Sequence, residues 1–259
     1  AVLSEDNDLT IFTDGNEKFE ALLEDIRKAE KFIHFQYYII KNDVVFAKIL
    51  EELKKKAAEG VEVRILYDAM GCRFVPHRFW KKLNRQGIQT AEFFPAFLGK
   101  FHLRINYRNH RKIVVIDNKV AYVGGFNVAK EYVGLEERFG YWRDTHLRIC
   151  GTAVQGLALR FLLDWNYTAR ENLFANPLYL TGYEKGKRDH CEIQIISSGP
   201  DSVDKTIRDN YVRLIHKAQK SIMIQTPYFI PDESLLTALY IAVHSGIQVD
   251  IMIPCKPDH

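Results

Sequence analysis

His110 and Lys112 stand two positions apart in NHRKIVVIDNKVAYVGGFN, residues 109–127. The segment reads as a strand, a tight turn at Asp117-Asn118-Lys119, a second strand over 120–123 and a double glycine. Side chains alternate along a strand, so His110, Lys112, Val114 and Ile116 share one face, with His110 and Lys112 about 7 Å apart. That spacing lets an imidazole and an ammonium touch two sides of one phosphate. An imidazole of ordinary pKa, about 6.5, is neutral and therefore nucleophilic at neutral pH. The ammonium offsets charge that builds on the phosphoryl oxygens. By parity Asp117 points to the other face, where it pins the turn rather than takes a proton.

The residues that follow extend the pattern. Gly124 and Gly125 lack β-carbons, so backbone can approach a ligand there, and Asn127 offers an amide donor beside a phosphate. In YWRDTHLRI, Asp144, His146 and Arg148 form another alternating face. A carboxylate at Asp144 could accept from His110 Nδ1, fix the tautomer and leave Nε2 free to attack. Taken singly, a strand histidine or a Gly-Gly pair is ordinary core or turn chemistry. The combination points to phosphoryl transfer.

Elements that position these groups are legible around them. Residues 16–30 carry apolar positions at helical spacing, and 32–38 (FIHFQYY) read as a buried strand. Residues 44–58 read as a second helix closed by Gly60, and 61–67 as a strand. The same order returns downstream: Lys217, Ala218, Lys220, Ile222, Ile224 and Gln225 match Lys28, Ala29, Lys31, Ile33, Phe35 and Gln36 at an offset of 189. Leu236, Leu239, Gly246, Ile247, Val249 and Ile251 match Leu50, Leu53, Gly60, Val61, Val63 and Ile65 at 186. A duplication of this period implies two similar α/β halves. Residues 154–170 read as an amphipathic helix. The expected division is a first half over 1–175, a linker over 176–190 and a second half over 191–259, incomplete because a counterpart of His110 would fall near position 296.

With 259 residues, 47% hydrophobic and 27% charged, the chain is of globular composition. It has no apolar run of about eighteen residues and no basic-then-apolar leader. Cys72, Cys150, Cys191 and Cys255 show no metal or disulfide spacing, which favours a reducing compartment. The net charge of +3 hides a concentration: residues 73–112 hold ten Lys or Arg against Glu92. That field calls for an anionic partner. Phe97 and Leu98, beside Gly99 and followed by Lys100 and Arg104, read as apolar wedges among cations, suited to an anionic bilayer. A nuclease explains the cations equally well and the apolar segment less well.

His110-x-Lys112-x4-Asp117-x6-Gly124-Gly125-x-Asn127 resembles the HKD motif of the phospholipase D superfamily. NYRNHRKIVVID, FGYWRDTHLRI and IQTPYFIPDESLLTAL are similar to bacterial cardiolipin synthases, and the likeness covers nearly all of the chain. It implies a layered α/β fold, a mixed sheet flanked by helices in two pseudo-repeated halves, with two HKD motifs meeting between them. It implies phosphatidyl transfer between two phosphatidylglycerol molecules, giving cardiolipin and glycerol, without metal or other cofactor. His110 would be the nucleophile forming a phosphohistidine, Lys112 and Asn127 would hold phosphate, Asp117 would be the motif aspartate and Asp144 would orient His110. A histidine of the second motif would protonate the leaving alcohol. The resemblance places the protein at a bacterial cell membrane, peripheral or anchored by segments outside this chain, with its catalytic part on the cytoplasmic side. Its partners would be anionic phospholipid and the membrane surface, with nucleic acid disfavoured. Pairing of two chains, a homo-oligomer, would be another way to bring two histidines together. The alternatives are another phosphodiesterase of the superfamily (phospholipase D, phosphatidylserine synthase or nuclease) and a non-catalytic lipid-binding fragment.

Overall fold

A computed structural model describes residues 2–94, 107–199 and 203–255. The chain divides into two compact units, 1–195 and 196–259. In the first unit the order is β1 (Leu3–Phe12), α1 (Gly15–Arg27), β2 (Phe32–Tyr37), α2 (Val44–Ala58), β3 (Glu62–Asp68), α3 (His77–Arg85) and β4 (Ile88–Phe93). Then come β5 (Ile113–Ile116), β6 (Val120–Gly124), β7 (His146–Cys150), α4 (Val154–Ala169) and β8 (Cys191–Gln194).

The eight strands form one sheet in the order β4-β3-β2-β5-β6-β7-β1-β8. β2, β3 and β4 are parallel, as their helical crossovers require, and the remaining pairs are antiparallel. Every residue of β2 is buried, so FIHFQY shows no polar face. One side of it (Ile33, Phe35, Tyr37) joins Val114, Ile116 and Tyr122 under α1, α2 and Trp80 of α3. The other side (Phe32, with Leu66, Ile113, Val115 and Ala121) packs on Leu157, Phe161 and Trp165 of α4. This is the expected mixed sheet flanked by helices. Asp14 and Asp43 start α1 and α2 by accepting the N–H groups of Asn16 and Glu17 and of Val45 and Phe46.

The expected boundary is corrected. β8 pairs with β1, and Tyr179, within the stretch read as a linker, is 2% exposed between the sheet and α4. Residues 176–195 therefore belong to the first unit. Tyr179 and Leu178 seal the open end of that core, a role that the local Pro, Gly and charges conceal.

The second unit holds α5 (Thr206–Lys217), β9 (Ser221–Gln225), α6 (Glu233–His244) and β10 (Gln248–Met252). β9 and β10 are parallel, with Ser221 opposite Gln248. In the first unit Phe32 lies opposite Glu62. The duplicated sequence thus repeats its strand register as well as its element order.

Candidate active site

β5 begins at Ile113, later than the expected strand, because its partner β2 ends at Tyr37 and Gln36 is the residue opposite Ile113. Residues 109–112 run past the last ladder position. Their side chains nonetheless keep the alternation. Lys112 Nζ lies 3.2 Å from His110 Nδ1 and donates to the His110 carbonyl at 2.8 Å. Tyr38, the first residue beyond β2, tilts against the imidazole with ring centroids 4.5 Å apart, and its ring lies 5.5 Å from Lys112 Nζ. Cys72, in the loop after β3, receives the Ile40 N–H on its sulfur and approaches the Tyr38 carbonyl.

The two groups differ in exposure. His110 opens to solvent, whereas Lys112 is buried. Loss of hydration, then the charge of Lys112, pushes the His110 imidazole down to about 4. Burial pushes the Lys112 ammonium down to about 8, against the opposing attraction of Asp144. At neutral pH the site presents a neutral imidazole beside a cation, the pairing that a phosphodiester needs.

Asn109 and Arg111 point the other way, toward α4. Asp164, 3% exposed, accepts from Asn109 Nδ2 at 2.8 Å, Arg111 Nη1 at 3.2 Å and Gln36 Nε2 at 2.8 Å, all on Oδ2. Arg160, one turn earlier, donates to Oδ1. The Asn109 N–H donates to Asp68 Oδ2 at 3.1 Å, and Asp68 Oδ1 accepts the N–H groups of Met70 and Gly71. Burial raises the Asp68 carboxyl against these donors. Sequence reading passed over both acids. The signal for Asp164 was present: an acid at helical spacing among Leu157, Phe161 and Trp165, all buried.

Asp117, the motif aspartate expected to pin the turn, is at the far end of β5 and accepts the N–H groups of Glu30 (2.7 Å), Lys31 (2.9 Å) and Phe32 (2.8 Å). It ties the hairpin to the start of β2, and both oxygens are taken. Asn127, expected beside phosphate, is 4% exposed; it accepts from the Ile39 N–H and donates to Tyr132 Oη at 2.7 Å. It braces the loop after β2.

Gly124 and Gly125, expected to admit a ligand, admit protein. A β-carbon at Gly124 would lie 2.4 Å from His146 Cα, and one at Gly125 would lie 2.0 Å from Asp144 Oδ1. Asp144 accepts the Thr145 N–H at 2.7 Å and affects Lys112 through charge, while Lys112 takes the position at His110 Nδ1 expected for it. Phe97, Leu98, Lys100 and Arg104 lie outside the described residues.

Two buried bases in the layer that His110 and Lys112 face were not anticipated. Lys18 of α1, fully buried, donates to Tyr37 Oη at 2.8 Å and lies 3.8 Å from the Phe19 ring centroid. His146 is sealed against Phe126, with no hydrogen-bond partner on either ring nitrogen. Burial, then the Lys18 charge, holds His146 far below its usual range. Among the described residues no group of His, Cys, Asp and Glu could hold a metal ion, and no helix is long and apolar enough to cross a membrane.

The sheet order, the layers on its two faces and the histidine–lysine pair at the end of β5 define a phospholipase D-like α/β domain. Phosphatidylserine synthase from Haemophilus influenzae superposes with a TM-score of 0.67 at 16% identity, over 95% of this chain and 61% of that one. Polyphosphate kinase from Porphyromonas gingivalis gives 0.54 at 13% identity, over 98% of this chain and 39% of that one. At such identity the likeness is one of fold. The family model described as cardiolipin synthase, PLD-like domain, matches residues 22–138 and 211–259, and the chain belongs to that family. Cardiolipin synthases of Oceanobacillus iheyensis, Bacillus subtilis and Staphylococcus aureus are 51%, 51% and 52% identical over the whole chain. The chain spans about half their length, at 53%, 54% and 52%.

Proposed function

We propose that this chain carries the first catalytic half of a cardiolipin synthase, which moves a phosphatidyl group from one phosphatidylglycerol to the primary hydroxyl of another. The observation that carries this reading is Lys112 Nζ at 3.2 Å from the His110 ring, beside an imidazole that stays neutral at neutral pH. An ammonium donating to Nδ1 places the imidazole proton on Nε2. An arriving phosphodiester draws the ammonium to its own oxygens, and the proton shifts to Nδ1. Nε2 then attacks phosphorus, the bond from phosphorus to the departing glycerol oxygen breaks, and that oxygen takes a proton from an acid of the downstream half or of a second chain. The hydroxyl of the second phosphatidylglycerol next attacks phosphorus, the P–N bond breaks, and the hydroxyl proton returns to that acid.

The loop after β3 and helix α3 present a surface that suits an anionic lipid. Phe74, in the loop after β3, is 78% exposed under the Arg73 guanidinium. Arg78, Lys81, Lys82 and Arg85 lie exposed on α3, which has no acid. Each nearby cation adds about 1 kcal/mol of attraction to an anionic leaflet. We place the working position at the cytoplasmic face of a bacterial membrane.

The test uses the full-length protein with phosphatidylglycerol vesicles and EDTA. Cardiolipin and glycerol should form despite the chelator, and His110→Ala should cut turnover by at least about 10³-fold. Activity lost on chelation, or kept in His110→Ala, defeats the proposal. Phosphatidic acid or cleaved DNA as product moves the assignment to another phosphodiesterase, and vesicle binding without turnover to a lipid-binding module.

A further inference from the structure

We propose that Asp164 is the positioning residue for His110, acting through the two residues on either side of it. Residues 109–112 lie beyond the β2–β5 ladder, so sheet hydrogen bonds do not fix their backbone. Alternation supplies the substitute: 109 and 111 face α4 while 110 and 112 face the opposite layer. One carboxylate oxygen of Asp164 holds both odd residues, at 2.8 Å to Asn109 Nδ2 and 3.2 Å to Arg111 Nη1. Asn109 Oδ1 in turn accepts the Arg111 backbone N–H at 3.2 Å, and the Asn109 N–H is pinned to Asp68 at 3.1 Å. The residue between two clamped neighbours has little freedom to turn. His110 is therefore directed from behind by a helix that touches neither the imidazole nor any reacting atom.

Such a clamp suits a nucleophile, because an error of about 1 Å in aim costs on the order of 10²-fold in rate. The rival account is that Asp164 only neutralises buried cations. Arg160 separates the two accounts, since it donates from within α4 to the other oxygen of the same carboxylate, not the one that holds Asn109 and Arg111.

The role assigned to Asp164 rests on the reading of His110 as nucleophile, so the first readout is independent of turnover. His110 is titrated by NMR of its ring in the 259-residue chain, with Lys112 and Tyr38 as the groups facing it. In Asp164→Asn and in Asn109→Ala, the imidazole should lose its fixed place beside Lys112 and titrate closer to its ordinary value, about 6.5. In Arg160→Gln it should titrate as in the unaltered chain. In the full-length protein the first two variants should lower kcat by about 10- to 100-fold with KM changed less than about threefold. The double variant should be little worse than either single one. Unaltered His110 titration in both Asp164→Asn and Asn109→Ala, or an equal shift in Arg160→Gln, overturns the inference. Should Asp164→Asn not fold, the contrast between Asn109→Ala and Arg160→Gln decides alone. Inactive full-length protein with the predicted titration shifts would count against the enzymatic reading and leave the clamp standing.

Discussion

At the scale of single residues, the structure removes water from two bases unequally. In the proposed reaction His110 must be neutral to attack, and its imidazole, pushed down to about 4, is neutral above that pH. Lys112 would have to be charged to hold phosphate, and its ammonium, pushed down to about 8, is lost as pH rises through that value. The signs therefore bracket a plateau. We expect kcat/KM of the full-length enzyme to hold between about pH 5 and pH 8 and to fall on the alkaline side as Lys112 deprotonates. Lys112→Arg, whose guanidinium stays charged, should move the alkaline limb upward and leave the acid limb in place. An alkaline limb that does not move in that variant would assign it to another group.

At the scale of elements, the motif residues divide between chemistry and construction. His110 and Lys112 sit at the open end of β5, whereas Asp117 closes its other end by holding three backbone N–H groups of the chain entering β2. The double glycine lets the lead-in to β7 lie flush on β6. The two positions should respond differently to a methyl group. At Gly124 the obstacles are His146 Cα and the Thr145 carbonyl, backbone atoms within 2.5 Å, whereas at Gly125 they are the carboxylate atoms of Asp144, which can swing aside. Gly124→Ala should cost about 3 kcal/mol or more in thermal or denaturant unfolding, and Gly125→Ala about 1 kcal/mol. Gly125→Ala should also displace Asp144 and so lower the Lys112 pKa further, since that carboxylate opposes the shift. Equal destabilisation by the two variants would contradict this account.

At the scale of the whole molecule, the chain divides at 195/196 into two units with cores of their own. The eight-stranded sheet of the first unit is covered on both faces by clusters drawn from residues 9–195. Among its described residues, the second unit rests on a two-stranded sheet and a core of four buried apolar residues: Ile215, Ala238, Leu239 and Ala242. A two-stranded sheet with so small a core is marginal in water. Residues 1–195 expressed alone should unfold in one cooperative transition by circular dichroism, while 196–259 alone should show none. A broad, sloping melt of 1–195 would mean that its core depends on residues outside it.

The sequence by itself determined the parts of this protein that depend on period and repetition. A continuous apolar and aromatic run places β2, period-2 and period-3.6 patterns place α2, β3 and α4, the duplication foretells the shared β2–β3 and β9–β10 register, and alternation brings His110 and Lys112 to one side. These follow from side-chain direction along a single element, which local order encodes. Tertiary structure alone decided which donors and acceptors meet across elements. Asp144 was expected at His110 Nδ1 and Lys112 is there; Asn127 was expected at phosphate and braces Tyr132; the supposed linker supplies Tyr179 to the core. Asp164 lies 54 residues beyond His110 and on a different element, so its hold on Asn109 and Arg111 exists only once α4 packs on the sheet. Hydrogen bonds are short-ranged and directional, and spacing along a chain carries no information about which distant groups the packing brings within 3 Å of each other.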